Sequence, residues 1–199
     1  RGGLHFSICQ DPLSYYYADN QPGFWVALFI LSKMPEMLDT VFLVVQRKPV
    51  IFLHWYHHFT VMLFCWLSYT HRAAPGLWFA AMNFFVHSVM YTYYFFMAVN
   101  LKKVVKPIAP FVTSIQLIQM VIGSSICVYV FVVQVQARIR GEDALLACHM
   151  APENLYFGMV MYGSYLALFA KLFYDLYLRK KRNGAAAKNG DDSGSKKVE

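Results

Sequence analysis

Five apolar stretches, each close to the length needed to cross a bilayer, constrain what this chain can become. They run Phe24 to Gln46, Ile51 to Tyr69, Leu77 to Val99, Phe111 to Val133 and Leu155 to Leu178, and are called A to E below. Roughly 30 Å of hydrocarbon takes about 20 helical residues to cross. The breaks between them carry breaker chemistry: Lys48-Pro49, Ala74-Pro75-Gly76, Lys106-Pro107 with Pro110, and Gly141 to Pro152. The expected fold class is an all-α, polytopic membrane helix bundle. A composition of 58% hydrophobic and 18% aromatic residues is too apolar for an ordinary soluble domain of 199 residues.

The charge pattern sets an expected orientation. Arg47 and Lys48 lie between A and B, Lys102, Lys103 and Lys106 between C and D, and Arg179 to Arg182 follow E. Basic loops face the cytosol, which puts residues 1–23 and the B–C loop on the luminal side, residues 24–178 in the membrane domain and residues 179–199 in a cytosolic tail. The D–E loop is the exception, because Arg138 and Arg140 sit there beside Glu142 and Asp143. The net charge of +7 is thus an orientation signal and gives no reason to expect a nucleic acid partner. The tail is rich in Gly, Ala, Lys, Asp and Ser without an apolar period, so disorder is expected. Arg1 is preceded by no initiator methionine and begins no signal-peptide pattern, so further spans are expected upstream.

On this topology Cys9 and Cys148 share the luminal, oxidising side, and a disulfide between them is weighed against two unpaired thiols. Cys65 and Cys127 fall inside B and D and read as small packing residues.

His54, His57 and His58 stand at i, i+3 and i+4 within segment B, on one helical face. Ionisable groups at membrane depth are costly, and such a cluster faces the protein interior as a functional site. Segment A adds Lys33, Glu36 and Asp39, with Pro35 between the first two. Lys33 and Glu36 are spaced to pair on a helix. Either these charges fix helix packing or they touch a polar part of a substrate. Segment C carries Asn83, His87, Tyr91 and Tyr94 at i, i+4, i+8 and i+11, one polar stripe on an apolar helix. Gln116 and Gln119 in D form a smaller patch that reads as interhelical glue or as a further substrate contact.

Two chemistries compete for the histidines. A metal-dependent lipid desaturase or hydroxylase uses several histidine boxes, and of the seven histidines His5, His71 and His149 are isolated in luminal loops or ends. His54, His57, His58 and His87 remain, which undersupplies a dinuclear iron site unless Glu36 or Asp39 joins it, although one zinc is possible by count. A nucleophilic site asks for less. Burial penalises the imidazolium, a neutral imidazole accepts an acyl group, and neighbouring histidines, Asn or Tyr can move protons or stabilise an oxyanion. No bound cofactor or metal is expected on this second reading. A transporter or receptor whose buried polar groups line a path is the non-enzymatic alternative.

Four ordered motifs carry a family resemblance. Lys33-Met34-Pro35-Glu36-Met37-Leu38-Asp39-Thr40, the HxxHH box His54 to His58, Asn83 to Tyr94, and Thr113-Ser114-Ile115-Gln116-Leu117-Ile118-Gln119 closely resemble the ELO family of very-long-chain fatty acid elongases. The resemblance continues through Met161-Tyr162-Gly163-Ser164-Tyr165. It implies a 3-ketoacyl-CoA synthase, an acyltransferase of the endoplasmic reticulum membrane that condenses acyl-CoA with malonyl-CoA and releases carbon dioxide. It also implies seven spans, six of them around an acyl tunnel, with A to E as the third to seventh. His57 becomes the acyl acceptor, His54 and His58 its helpers, and His87 a group facing it. Lys33, Arg47 and the cytosolic lysines become candidates for the CoA phosphates. Expected partners are membrane lipid, the reductases and dehydratase of the elongation cycle, and a second copy of the chain. Lys196-Lys197 near the C-terminus is similar to a dilysine retrieval signal.

Overall fold

The computed structural model describes residues 3–14, 21–47 and 49–179. Lys48, and the tail from Lys180 with its Lys196-Lys197 pair, lie outside them. Among the described residues there are helices and no strand: α1 (Leu4–Cys9), α2 (Gln21–Glu36), α3 (Leu38–Val45), α4 (Phe52–Thr70), α5 (Gly76–Ala98), α6 (Lys102–Val105), α7 (Ala109–Ile139), α8 (Ala144–Ala147) and α9 (Pro152–Phe173). Short 3₁₀ turns cover Pro12–Ser14 and Lys106–Ile108, and α9 continues as a π-helical stretch over Tyr174–Arg179.

Segments B, C, D and E appear as α4, α5, α7 and α9; α5 ends just before Asn100, which takes a left-handed φ of 66°. Segment A differs. Pro35 has no N–H to give the ladder, and the helix breaks at Met37, where tight i→i+3 bonds join Met37 N–H to the Met34 carbonyl (3.1 Å) and Thr40 N–H to the Met37 carbonyl (3.2 Å). By length and composition, two stretches among the described residues are long and apolar enough to span a membrane, Lys102–Ile139 and Pro152–Arg179. The break shortens A, and the histidines, tyrosines and tryptophans of α4 and α5 dilute their hydropathy. Segment D runs further than its apolar stretch: α7 has 31 residues, about 46 Å at the α-helical rise.

Large apolar side chains stand on the surface while several polar ones are enclosed. Val160 is 68% exposed and Phe111 60%, while Lys33 is 2% exposed and Asn154 is fully buried. A surface of large apolar side chains, with a few polar groups enclosed within an otherwise apolar core, is what a lipid solvent selects. The main core packs α4, α7 and α9 through Phe64, Cys127, Val130, Tyr162 and Tyr165. Gly123 on α7 is required there, because a Cβ at that position would overlap the Tyr162 ring.

One end of the bundle is stitched shut. A disulfide joins Cys9 to Cys148. The His149 N–H donates to the Cys9 carbonyl (3.1 Å), and the Ala74 N–H to the His149 carbonyl (2.8 Å). Gln134 Nε2 on α7 donates to the carbonyls of Cys148 (3.0 Å) and Met150 (2.7 Å). Asn154 Nδ2 donates to Ser68 Oγ (3.1 Å). These bonds tie α1, the α4–α5 turn and the α8–α9 connection together at the end opposite the histidine box.

Candidate functional site

The HxxHH box occupies the first turns of α4, which starts after the extended Ile51. Its three rings divide between two environments. His54 and His58 pair with ring centres 4.5 Å apart. His57 turns the other way: its ring is 4.9 Å from Tyr165 and 6.4 Å from His87, nearly parallel to the latter at 30°. His57 and His58 meet edge to face at 5.5 Å. The spacing of the box covers about 100° of the helix, wide enough to reach both sides.

The charges of segment A point at the same place. Lys33 Nζ donates to Glu36 Oε1 (2.7 Å) and Asn83 Oδ1 (2.8 Å) and lies 4.3 Å from the Phe29 ring centre. Its ammonium is therefore enclosed. Among the described sequence candidates for the CoA phosphates, Arg47, Lys102, Lys103 and Lys106 are exposed. The other Glu36 oxygen, Oε2, is 3.9 Å from His87 Nδ1. Below the helix break, Asp39 Oδ2 accepts a hydrogen bond from the Tyr91 hydroxyl (3.0 Å), whose ring is edge-on to His87 at 5.7 Å.

The polar stripe of α5 is only partly gathered. Asn83, His87 and Tyr91 meet Lys33, Glu36 and Asp39. Tyr94 is 53% exposed and packs on Tyr93, because eleven residues carry it about 16 Å along the axis from Asn83. Gln116 Nε2 lies 3.3 Å from Met90 Sδ, an interhelical contact. Gln119 is buried and faces a cavity.

That cavity is apolar. It follows α4 from His57 through Val61 and Cys65 to Tyr69, and α5 from Asn83 through Ala80 to Gly76, with Phe29, Met120 and Tyr162 among its other walls. The lining residues of α4 span about 18 Å of helix rise. His57 is the member of the box that lines it. Four buried polar atoms around the cluster have no hydrogen-bond partner: Glu36 Oε2, Thr40 Oγ1, His54 Nε2 and His87 Nδ1. Among the described residues, no three His, Cys, Asp or Glu side chains are grouped to hold a metal ion.

A sequence profile described as ELO: GNS1/SUR4 family matches residues 1–185. The chain belongs to the ELO family. It is 49% identical over 176 residues to "Fatty acid elongase 3" of Trypanosoma brucei brucei, covering 88% of this chain and 56% of that protein. It is 49% identical over 187 residues to "Very long chain fatty acid elongase 4" of Trypanosoma cruzi, with 93% and 62% covered. With "Very long chain fatty acid elongase 6" of Drosophila melanogaster it shares 42% over 189 residues, with 93% and 57% covered. The chain thus spans about three fifths of the length of these relatives. No solved structure matches it.

In this ELO chain, Tyr165 is a site neighbour that sequence reasoning did not single out. Its hydroxyl donates to the His57 carbonyl (3.1 Å) and pairs with Thr60 Oγ1. Next to it, Ser164 Oγ pairs with the Tyr56 hydroxyl at 2.9 Å. Together they clamp α9 to the first turns of α4. Two consecutive hydroxyl residues in an apolar helix were the available signal.

Proposed function

We propose that this chain carries the condensing site of fatty acid elongation, joining a long-chain acyl-CoA to malonyl-CoA with loss of carbon dioxide to give a 3-ketoacyl-CoA. One observation carries this: His57, alone of its box, lines an apolar cavity whose walls run along α4 from His57 to Tyr69. An acyl chain laid in that cavity presents its thioester to the imidazole. His57 attacks the thioester carbon, a C–N bond forms, the C–S bond breaks, and the thiolate leaves with the proton that His57 gives up. Malonyl-CoA then loses carbon dioxide, and its carbanion attacks the acyl carbon. The new C–C bond displaces His57, which takes back one proton. Dry walls protect both the acyl-imidazole and the carbanion from water.

The other residues have supporting parts. His54 and His58 orient His57 or relay protons, His87 faces it, and Lys33 with Asn83 supplies a fixed donor and dipole for developing charge. Exposed Arg47, Lys102, Lys103 and Lys106 receive the CoA phosphates. The chemistry uses two CoA substrates and no bound cofactor. Membrane lipid surrounds the bundle in the endoplasmic reticulum, the C-terminus lies in the cytosol, and the product passes to the reductases and dehydratase of the cycle. The test is malonyl-CoA-dependent lengthening of a labelled acyl-CoA by the purified chain. Two-carbon extension is expected, and acyl-CoA returned unlengthened at saturating malonyl-CoA would reject the proposal.

A further inference from the structure

The Glu36 carboxylate divides its two oxygens between different tasks. Oε1 is occupied, accepting from Lys33 Nζ (2.7 Å) and Ser32 Oγ (3.3 Å). Oε2 is buried without a hydrogen-bond partner, and so is His87 Nδ1, which stands 3.9 Å from it. Two orphaned groups of complementary chemistry, one an acceptor and one able to donate, face each other in an enclosed site. Burying either alone is unfavourable, and a closure of about 1 Å makes the hydrogen bond that satisfies both. The His87 ring also lies at 30° to that of His57, with centres 6.4 Å apart. That separation leaves room for a reacting group or one water between them.

We propose that Glu36 is a positioning residue that fixes the tautomer of His87 and thereby makes it the proton carrier for His57; this rests on the acyl-His57 chemistry proposed above. The Glu36 carboxylate accepts the Nδ1–H of His87, so Nε2 keeps its lone pair. When the thioester C–S bond breaks and the C–N bond to His57 forms, the proton on the acyl-imidazolium passes to His87 Nε2 and then to the departing thiolate. When the carbanion displaces His57, one proton from solvent returns through the same nitrogen, matching the single proton taken up when malonyl-CoA loses carbon dioxide. Lys33 holds the carboxylate in place through Oε1, while Tyr91 against the edge of His87 limits its rotation.

Glu36→Gln tests this. The amide oxygen still accepts from Lys33, but the amide NH₂ now faces Nδ1, which forces the imidazole proton onto Nε2 and removes the acceptor. The expected result is a fall in kcat of about 100-fold or more, with KM for both CoA substrates within about threefold of wild type. In a double-mutant cycle, Glu36→Gln should add nothing to the loss already caused by His87→Gln. Losses that multiply, or a loss confined to KM, overturn the role of Glu36. Should Glu36→Gln fail to fold, Glu36→Asp keeps the charge opposite Lys33 and draws the carboxylate back from His87. Its kcat should fall about tenfold or more at unchanged KM, and wild-type kcat overturns the proposal. Intact-mass measurement of the wild type separates the two levels: an acyl-histidine with multiplying losses removes only the role of Glu36, whereas no acyl-histidine removes the chemistry beneath it.

Discussion

Gly123→Ala links helix packing to the cavity and can be worked from the coordinates. A Cβ at Gly123 would overlap Cε1 of Tyr162 and stand 2.6 Å from Cδ1 and 2.9 Å from Cζ. All three are ring atoms, so the whole ring must move rather than one flexible tip. It is confined by Phe64 and Phe79, with ring centres at 6.1 and 5.0 Å, and it lines the cavity. Overpacking of this kind costs about 1–3 kcal/mol. For a chain of this size that corresponds to a Tm fall of roughly 2–12 °C, read by thermal unfolding in detergent. The open direction for the ring is the cavity, so the variant should also favour shorter acyl-CoA substrates in a chain-length panel. Tyr162→Leu on top of Gly123→Ala should restore stability, because the leucine has no ring to collide. An unchanged Tm and unchanged chain-length profile in Gly123→Ala would refute the close-packing argument.

Other outcomes follow from the same contacts. Lys33→Met leaves Glu36 half-buried without its cation and should destabilise by about 3–5 kcal/mol, whereas Lys33→Met with Glu36→Gln should recover most of that stability; equal losses in both, by chemical denaturation, would show the pair is not coupled. Cys9→Ser opens a loop spanning 139 residues of separation and should lower stability by up to about 4 kcal/mol, seen as a Tm drop that dithiothreitol reproduces in the wild type; no drop in either would mean the backbone bonds of Ala74 and His149 hold that end by themselves. Asp39→Asn still accepts from Tyr91 but loses its charge, so an activity loss with unchanged Tm is expected, and unchanged kinetics would leave Asp39 a packing role only.

Much of the architecture was written in local chemistry. Apolar stretches of spanning length and their Pro and Gly breaks mark α4 and α5 to within a residue and the starts of α7 and α9 to within three, since a backbone in hydrocarbon has few alternatives to helix. The Lys33–Glu36 pair and the nearness of the three box histidines follow from helical spacing alone. What was hidden is three-dimensional. Periodicity cannot say that His57 rather than His54 meets the cavity, because that depends on how α4 is rotated against α9. The Tyr165 contact with His57 joins residues 108 apart, and the Asn154–Ser68 bond joins residues 86 apart; neither leaves a trace in either helix by itself. Segment A read as one span, Phe24 to Gln46, because its apolar count outweighed the one backbone hydrogen bond that Pro35 removes.

The most direct test is intact-mass measurement of the purified chain after incubation with acyl-CoA and no malonyl-CoA. The mass should rise by one acyl group, free CoA should appear in equal amount, and peptide mapping should place the adduct on His57. Malonyl-CoA should then discharge it, and His57→Ala should neither acquire the mass nor lengthen acyl-CoA while unfolding at the wild-type temperature. Turnover without any adduct, or an adduct on a cysteine, a serine or another histidine, would contradict the assignment of His57 as acyl acceptor.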